Sequence, residues 1–164
     1  MSMIGVFLAV PRDQLAAALA DPSSVSELLI PESEEPPANY LDLDKAWHGI
    51  HFLLTGEAWG GEGPLAEVIL GGAEIGDDMG YGPALYATPE QVEAIATSLA
   101  NVSIEQLESG YSPAEFERAQ IYPTGIWEAE GQGALDYLTH YLRQLIDFYK
   151  SAAVRGDAVL HAVV

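Results

Sequence analysis

"LDLDKAWHGIHFLLTG", residues 41–56, decides how this chain is to be read. On a helix over 43–55, at about 100° per residue, Leu43, Ala46, Trp47, Ile50, Leu53 and Leu54 gather into an arc of roughly 120°. An apolar stripe of that width is the face a helix packs on a core. Gly56 stands where such a helix ends, because glycine takes the left-handed conformation of a C′ residue without strain. Asp44, His48, His51 and Thr55 fall within about 60° of one another on a second face. Phe52 lies off the main stripe, so the helix is expected to be covered on more than one side.

The second face has two readings. Asp44, His48 and His51 form D-x-x-x-H-x-x-H, and spacings of three and four stack side chains on a helix. Two imidazoles and a carboxylate are a ligand set for zinc, nickel or iron. They are also a histidine base with its tautomer set by a carboxylate. The helical metal signature H-E-x-x-H is absent, however, as is any third-histidine motif. The other reading is a buried helix in which Asp44 orients His48 and the histidines satisfy neighbouring backbone groups. His140 and His161 stand alone and read as structural.

Around this helix the chain alternates short elements. Met3–Val10 is an apolar run without a helical face, expected to be a strand buried on both sides and ended by Pro11. Asp13–Leu19 reads as a short helix. "DPSSVSELL" opens another, with Asp21 as N-cap and Pro22 at the first helical position. "PESEEPPAN", 31–39, is an acidic, proline-rich loop. Nine of the 16 glycines lie between Gly56 and Gly82, a stretch expected to hold a short helix over Leu65–Leu70 and one strand over Pro83–Ala87. "TPEQ" at 88, "SIEQ" at 103 and "SPAE" at 112 each place a hydroxyl at a helix start and a Glu or Gln three residues on. "IYPTGIWEAEGQG", 121–133, reads as irregular. Ala134–Arg155 is the longest helix, with Leu135, Leu138, Leu142, Leu145 and Tyr149 on one face and Gly156 as its stop. Ala158–Val163 closes the chain as a strand.

The expected fold class is α+β. It is a single domain, 1–164, with a small sheet that uses the N- and C-terminal strands as neighbours, one or two strands between them, several short helices and one long C-terminal helix.

Composition sets the limits on chemistry. The 164 residues hold 25 acidic and 6 basic side chains, a net charge of −19. Nucleic acid is disfavoured as a partner, since binding it needs Lys and Arg to replace phosphate counterions. Anionic membrane surfaces are disfavoured for the same reason, and no segment has the apolar length of a membrane span. There is no cysteine, which excludes disulfides, thiolate metal sites and cysteine nucleophiles. The N-terminus lacks a basic region before its short apolar run and does not read as a signal peptide, so a cytoplasmic location is expected. The glycine-rich stretch carries no phosphate-binding motif and no Lys or Arg between Lys45 and Arg118, so nucleotide binding is not expected. No G-x-S-x-G occurs, and no cofactor is implied.

"MSMIGVFLAV", "LDLDKAWHGIHFLLTG", "GPLAEVILGG", "GYGPALYATPEQV", "YPTGIW" and "FYKSAAVRGDAVL" together resemble, in order and over nearly the whole chain, the bacterial YfbM-like family, a domain of unknown function. The resemblance implies one small α+β domain in the bacterial cytoplasm and transfers no catalytic residue. Trp47, His48, His51, Tyr81 and Trp127 lie in the blocks that carry it, and with Asp44 they are the candidate cleft or binding residues.

Two functions follow. One is a non-catalytic binding protein with an acidic surface for a basic protein partner, in which the loop aromatics Trp59, Tyr81, Tyr122 and Trp127 anchor the interface. The other is a metal-binding protein or enzyme centred on Asp44, His48 and His51. It requires that face to open into a cleft.

Overall fold

The computed structural model describes residues 1–164. Strand β1, Gly5–Val10, reads GVFLAV and is buried at every position. Helices α1 (Arg12–Ala20) and α2 (Val25–Leu29) follow, with a single 3-10 turn at Pro22–Ser24 between them. Asp21 precedes that turn as anticipated, but its carboxylate accepts from the Ser23 hydroxyl (2.6 Å) and caps no backbone N–H. A three-residue strand, β2 (Tyr40–Asp42), leads through a 3-10 turn at Asp44–Ala46 into α3, Trp47–Thr55. Gly56 ends α3 in the left-handed conformation, φ 73°.

Next come α4 (Pro64–Glu67), the hairpin of β3 (Ala73–Asp78) and β4 (Pro83–Ala87), and α5 (Pro89–Ala100). All three hydroxyl caps form. Thr88, Ser103 and Ser112 accept from the N–H groups of Gln91, Gln106 and Glu115, and so start α5, α6 (Ile104–Ser109) and α7 (Pro113–Arg118). Thr88 and Gln91 complete a reciprocal capping box. The short α8 (Trp127–Glu130) precedes the long α9 (Gln132–Arg155), and β5 (Ala158–Val163) closes the chain.

The five strands form one antiparallel sheet in the order β2-β1-β5-β4-β3. The terminal strands are neighbours, paired from Gly5↔Val163 to Val10↔Ala158. The fold is α+β, as the alternation of elements predicts. Strands β2 and β3 depart from expectation, since the sequence reading allowed at most two strands between the terminal pair. Both are sheet edges. In β3 only Ile75 is buried, and Glu74, Gly76, Asp77 and Asp78 face out, so the apolar alternation that marks a strand is missing. Charge and a break in register, here between Ile75 and Asp78, are what an edge carries to discourage pairing with another chain.

Each face of the sheet has its own core, because successive side chains of a strand point to opposite sides. Phe7, Ala9, Ala87 and Val159 pack with α3, α5 and α9. Val6, Leu8, Val10, Ala158 and Leu160 pack with Leu15 and Ala18 of α1 and Val25 and Leu29 of α2. That two-sided cover explains why β1 reads as a continuous apolar run and why β5 is apolar on both faces except at His161. Two glycines set the close approaches around α3. A Cβ on Gly5 would lie 2.9 Å from Trp47 Cβ, and one on Gly49 would lie 2.6 Å from Leu138 Cδ2 of α9 and 2.9 Å from Trp127 Cη2. No helix is long and apolar enough to cross a membrane.

Candidate functional site

The helix of the opening stretch starts at Trp47, four residues later than its periodicity suggests. Asp44 sits before it with φ 48°, a left-handed conformation that aspartate tolerates better than most residues. Its N–H donates to Asp42 Oδ1 (2.6 Å), and its Oδ2 accepts from the Tyr137 hydroxyl (2.9 Å). The same hydroxyl accepts from the Lys45 N–H (3.1 Å). Burial, and then the Asp44 carboxylate, push the Tyr137 phenol well above its usual range. Asp44 is therefore held by α9 and does not share a helical face with His48 and His51, which corrects the expectation of a single Asp–His–His stripe. Nowhere do three His, Asp or Glu side chains gather closely enough to hold a metal ion.

His48 and His51 both lie in α3 and both are buried. The His48 ring is bonded on both sides: Nε2 meets Ala58 O at 2.8 Å, and Nδ1 meets the Tyr122 N at 2.9 Å. A carbonyl can only accept and an amide N–H can only donate, so the ring is neutral with its proton on Nε2. This one side chain ties the 56–63 loop and the 121–126 segment to α3. Burial holds its pKa below the usual histidine value, against the Ala58 carbonyl, which favours the charged form. His51 faces the Gly60 carbonyl, but neither of its ring nitrogens has a partner in bonding geometry. Burial lowers its pKa too, with His48 adding to the effect.

Trp47 and His48 stack with ring centroids 4.9 Å apart and planes at 13°. Trp59 lies over His48 at 4.4 Å, and Tyr122 stacks on Trp47 at 6.0 Å. Trp47 Nε1–H donates to Met3 O (3.1 Å), and Met3 N–H donates to the Tyr122 hydroxyl (3.0 Å), so the N-terminal residues close the cluster. Trp47 is buried, whereas Trp59 is 64% exposed. The loop beneath Trp59 is fixed. Thr55 Oγ1 donates to His51 O (2.8 Å) and accepts from the Glu57 N–H (3.0 Å), and Ala58 is held by His48. Gly60, Gly61 and Gly63 all have positive φ, which lets the chain turn back at once into α4.

The other candidates fall apart from this cluster. Trp127 is fully buried in the main core, with its Nε1–H on Ile121 O (2.8 Å) and its ring against Phe116 at 4.8 Å. Phe116 also takes Phe52 edge-on at 4.8 Å, the second cover of α3 that the position of Phe52 anticipates. Tyr81 is 45% exposed on the turn of the β3–β4 hairpin, and makes no ring contact with Trp47, His48 or Trp59. Sequence reasoning missed two organising residues. Tyr137 holds Asp44, and Glu117 accepts from the N–H groups of Gly125 (3.1 Å) and Trp127 (2.8 Å), pinning the segment before α8. Neither carries a local signal, because their partners are distant in sequence or lie in an irregular stretch. Trp59 did carry one: a tryptophan set among glycines and acids has no periodic stripe to join.

The fold and the cluster define a small α+β domain in which a buried histidine binds two loops and presents one exposed indole. The chain belongs to the family described as a domain of unknown function (DUF1877), whose model matches residues 1–162. Its fold is similar to that of the crystal structure of YfbM from Escherichia coli, a protein of unknown function. The TM-score is 0.77 and the identity 24%, over 99% of this chain and 100% of that one. No curated protein matches the chain.

Proposed function

We propose that this chain is a non-catalytic interaction protein whose acidic surface takes a basic protein partner. The observation that carries the reading is where its charge sits. Of the acidic residues only Asp157 is buried; Asp44, Glu108 and Glu117 are half-buried, and the rest are exposed. Compensation is sparse: the ion pairs are Arg12–Glu90 and Arg155–Asp157. A field of one sign speeds encounter with an oppositely charged surface and repels competitors of like charge. Two of the three chemistry-capable groups of the opening stretch also support it. Both nitrogens of His48 are committed to backbone groups, and Asp44 to Tyr137.

The test is affinity capture on the immobilised full chain at low and at high salt, with identification of what is retained. Basic proteins held at low salt and released at high salt are the expected result, because salt screens exposed charges beyond about 10 Å. Capture that ignores salt, or no capture, rejects the reading.

A further inference from the structure

We propose that the outward face of the Trp59 indole is the contact point for a lysine or arginine side chain of that basic partner. The inference rests on the reading above and adds where the partner is gripped. Trp47 and Trp127 are buried, so Trp59 is the one exposed tryptophan of three. Its exposure is imposed by the fold. The indole packs against the His48 ring with centroids 4.4 Å apart and planes tilted by 38°, and the residue before it is bonded through its carbonyl to His48. The Thr55 bonds fix the start of the loop. These contacts restrain the indole before anything binds, so less side-chain entropy is left to lose on contact.

The charges around it select the occupant. Exposed Glu57 and Glu62 flank Trp59 in the loop, exposed Glu67 follows in α4, and no basic side chain occurs between Lys45 and Arg118. An indole face attracts a cation through its quadrupole. Carboxylates on the same loop and at the end of α4 strengthen that attraction and repel an anion. Tryptophan is also among the residues that dominate binding energy at protein interfaces. A neutral apolar partner would use the ring but not the carboxylates, whereas a cationic side chain uses both.

The experiment is calorimetric titration of the full-length parent, Trp59→Phe and Trp59→Leu with a tetra-arginine peptide at low salt. Thermal melts verify that each variant folds, as substitution at an exposed side chain predicts. Trp59→Leu keeps apolar bulk but has no π face, and its affinity is expected to fall roughly fivefold. Trp59→Phe keeps a π face and is expected to stay within about twofold of the parent. Equal binding by all three proteins overturns the Trp59 contact and leaves the basic-partner reading standing. Equal weakening of both variants also overturns it, since indole shape and not cation attraction would then matter. No binding of the peptide to any of the three removes the electrostatic reading and this inference together.

Discussion

At the scale of single residues, histidine is used here as a neutral, buried group. His161 lies in β5, stacked on Phe7 at 5.2 Å with planes at 7°. It faces the carbonyls of Gly71 and Ile69, yet its Nε2 has no partner in bonding geometry. Burial pushes its pKa down to about 4. The sign of the pH effect follows. Above the unfolded value, near 6.5, neither state is protonated and the contribution of the neutral ring is fully present. As pH falls below it, the unfolded chain takes the proton first and stability is lost, until the folded ring titrates as well. Between pH 7 and pH 5 that amounts to roughly 2 kcal/mol. His161→Phe keeps the stack and removes both the titration and the unpartnered nitrogen. Urea melts at the two pH values are expected to show the parent losing about 2 kcal/mol relative to this variant as pH falls. A constant difference between them would show that His161 titrates in the fold as it does in the unfolded chain. His48 and His51, both lowered by burial, add losses of the same sign to parent and variant alike.

At the scale of elements, α3 is placed by close backbone approach more than by its own helical propensity. Gly49 lies in its first turn, and alanine in place of glycine ordinarily stabilises a helix by up to about 1 kcal/mol. Here a Cβ would meet Leu138 Cδ2 at 2.6 Å and Trp127 Cη2 at 2.9 Å. Overpacking of a dense core costs typically 1–3 kcal/mol. The indole of Trp127 is held by its bond to Ile121 O and cannot swing away cheaply. Strain therefore outweighs propensity, and Gly49→Ala is expected to destabilise the protein by about 1–2 kcal/mol in denaturant melts. A variant more stable than the parent would mean that α9 and α8 shift to admit the methyl group. α5 is the contrasting case. Its reciprocal Thr88–Gln91 box and Pro89 mark its start locally, without reference to any other element.

At the scale of the whole molecule, the net charge of −19 works against the fold that carries it. Twenty-five acidic residues, nearly all at the surface, repel one another, and few are paired. Screening should relieve that repulsion. Scanning calorimetry from about 10 mM to about 300 mM NaCl at pH 7 is expected to raise Tm by roughly 3 °C, corresponding to about 1 kcal/mol for a chain of this size. A flat or falling Tm would show that the acidic groups sit in local favourable pairs. The same repulsion is what a basic partner would relieve, so stability and binding are expected to respond to salt in opposite directions.

What the sequence determined by itself was whatever local rules decide. Strand β1 was legible because burial on both faces leaves an unbroken apolar run, and β5 because its apolar residues alternate weakly after the glycine stop of α9. The caps at Thr88, Ser103 and Ser112 were legible because a hydroxyl and its N–H lie three residues apart. Gly56 and Gly156 stop their helices because only glycine adopts that conformation freely. The tertiary structure decided the rest. Edge strands β2 and β3 owe their pairing to neighbours and not to their own pattern. Asp44 left the helical face because Asp42 and Tyr137 hold it in a left-handed turn, and Tyr137 lies 93 residues away. His48 became a fastener of loops because Tyr122, 74 residues on, brings a backbone donor to it. Trp127 went to the core and Trp59 to the surface, although both stood in irregular, glycine-bearing stretches. Their fates depend on whether another element covers them, and periodicity within a segment carries no information about that.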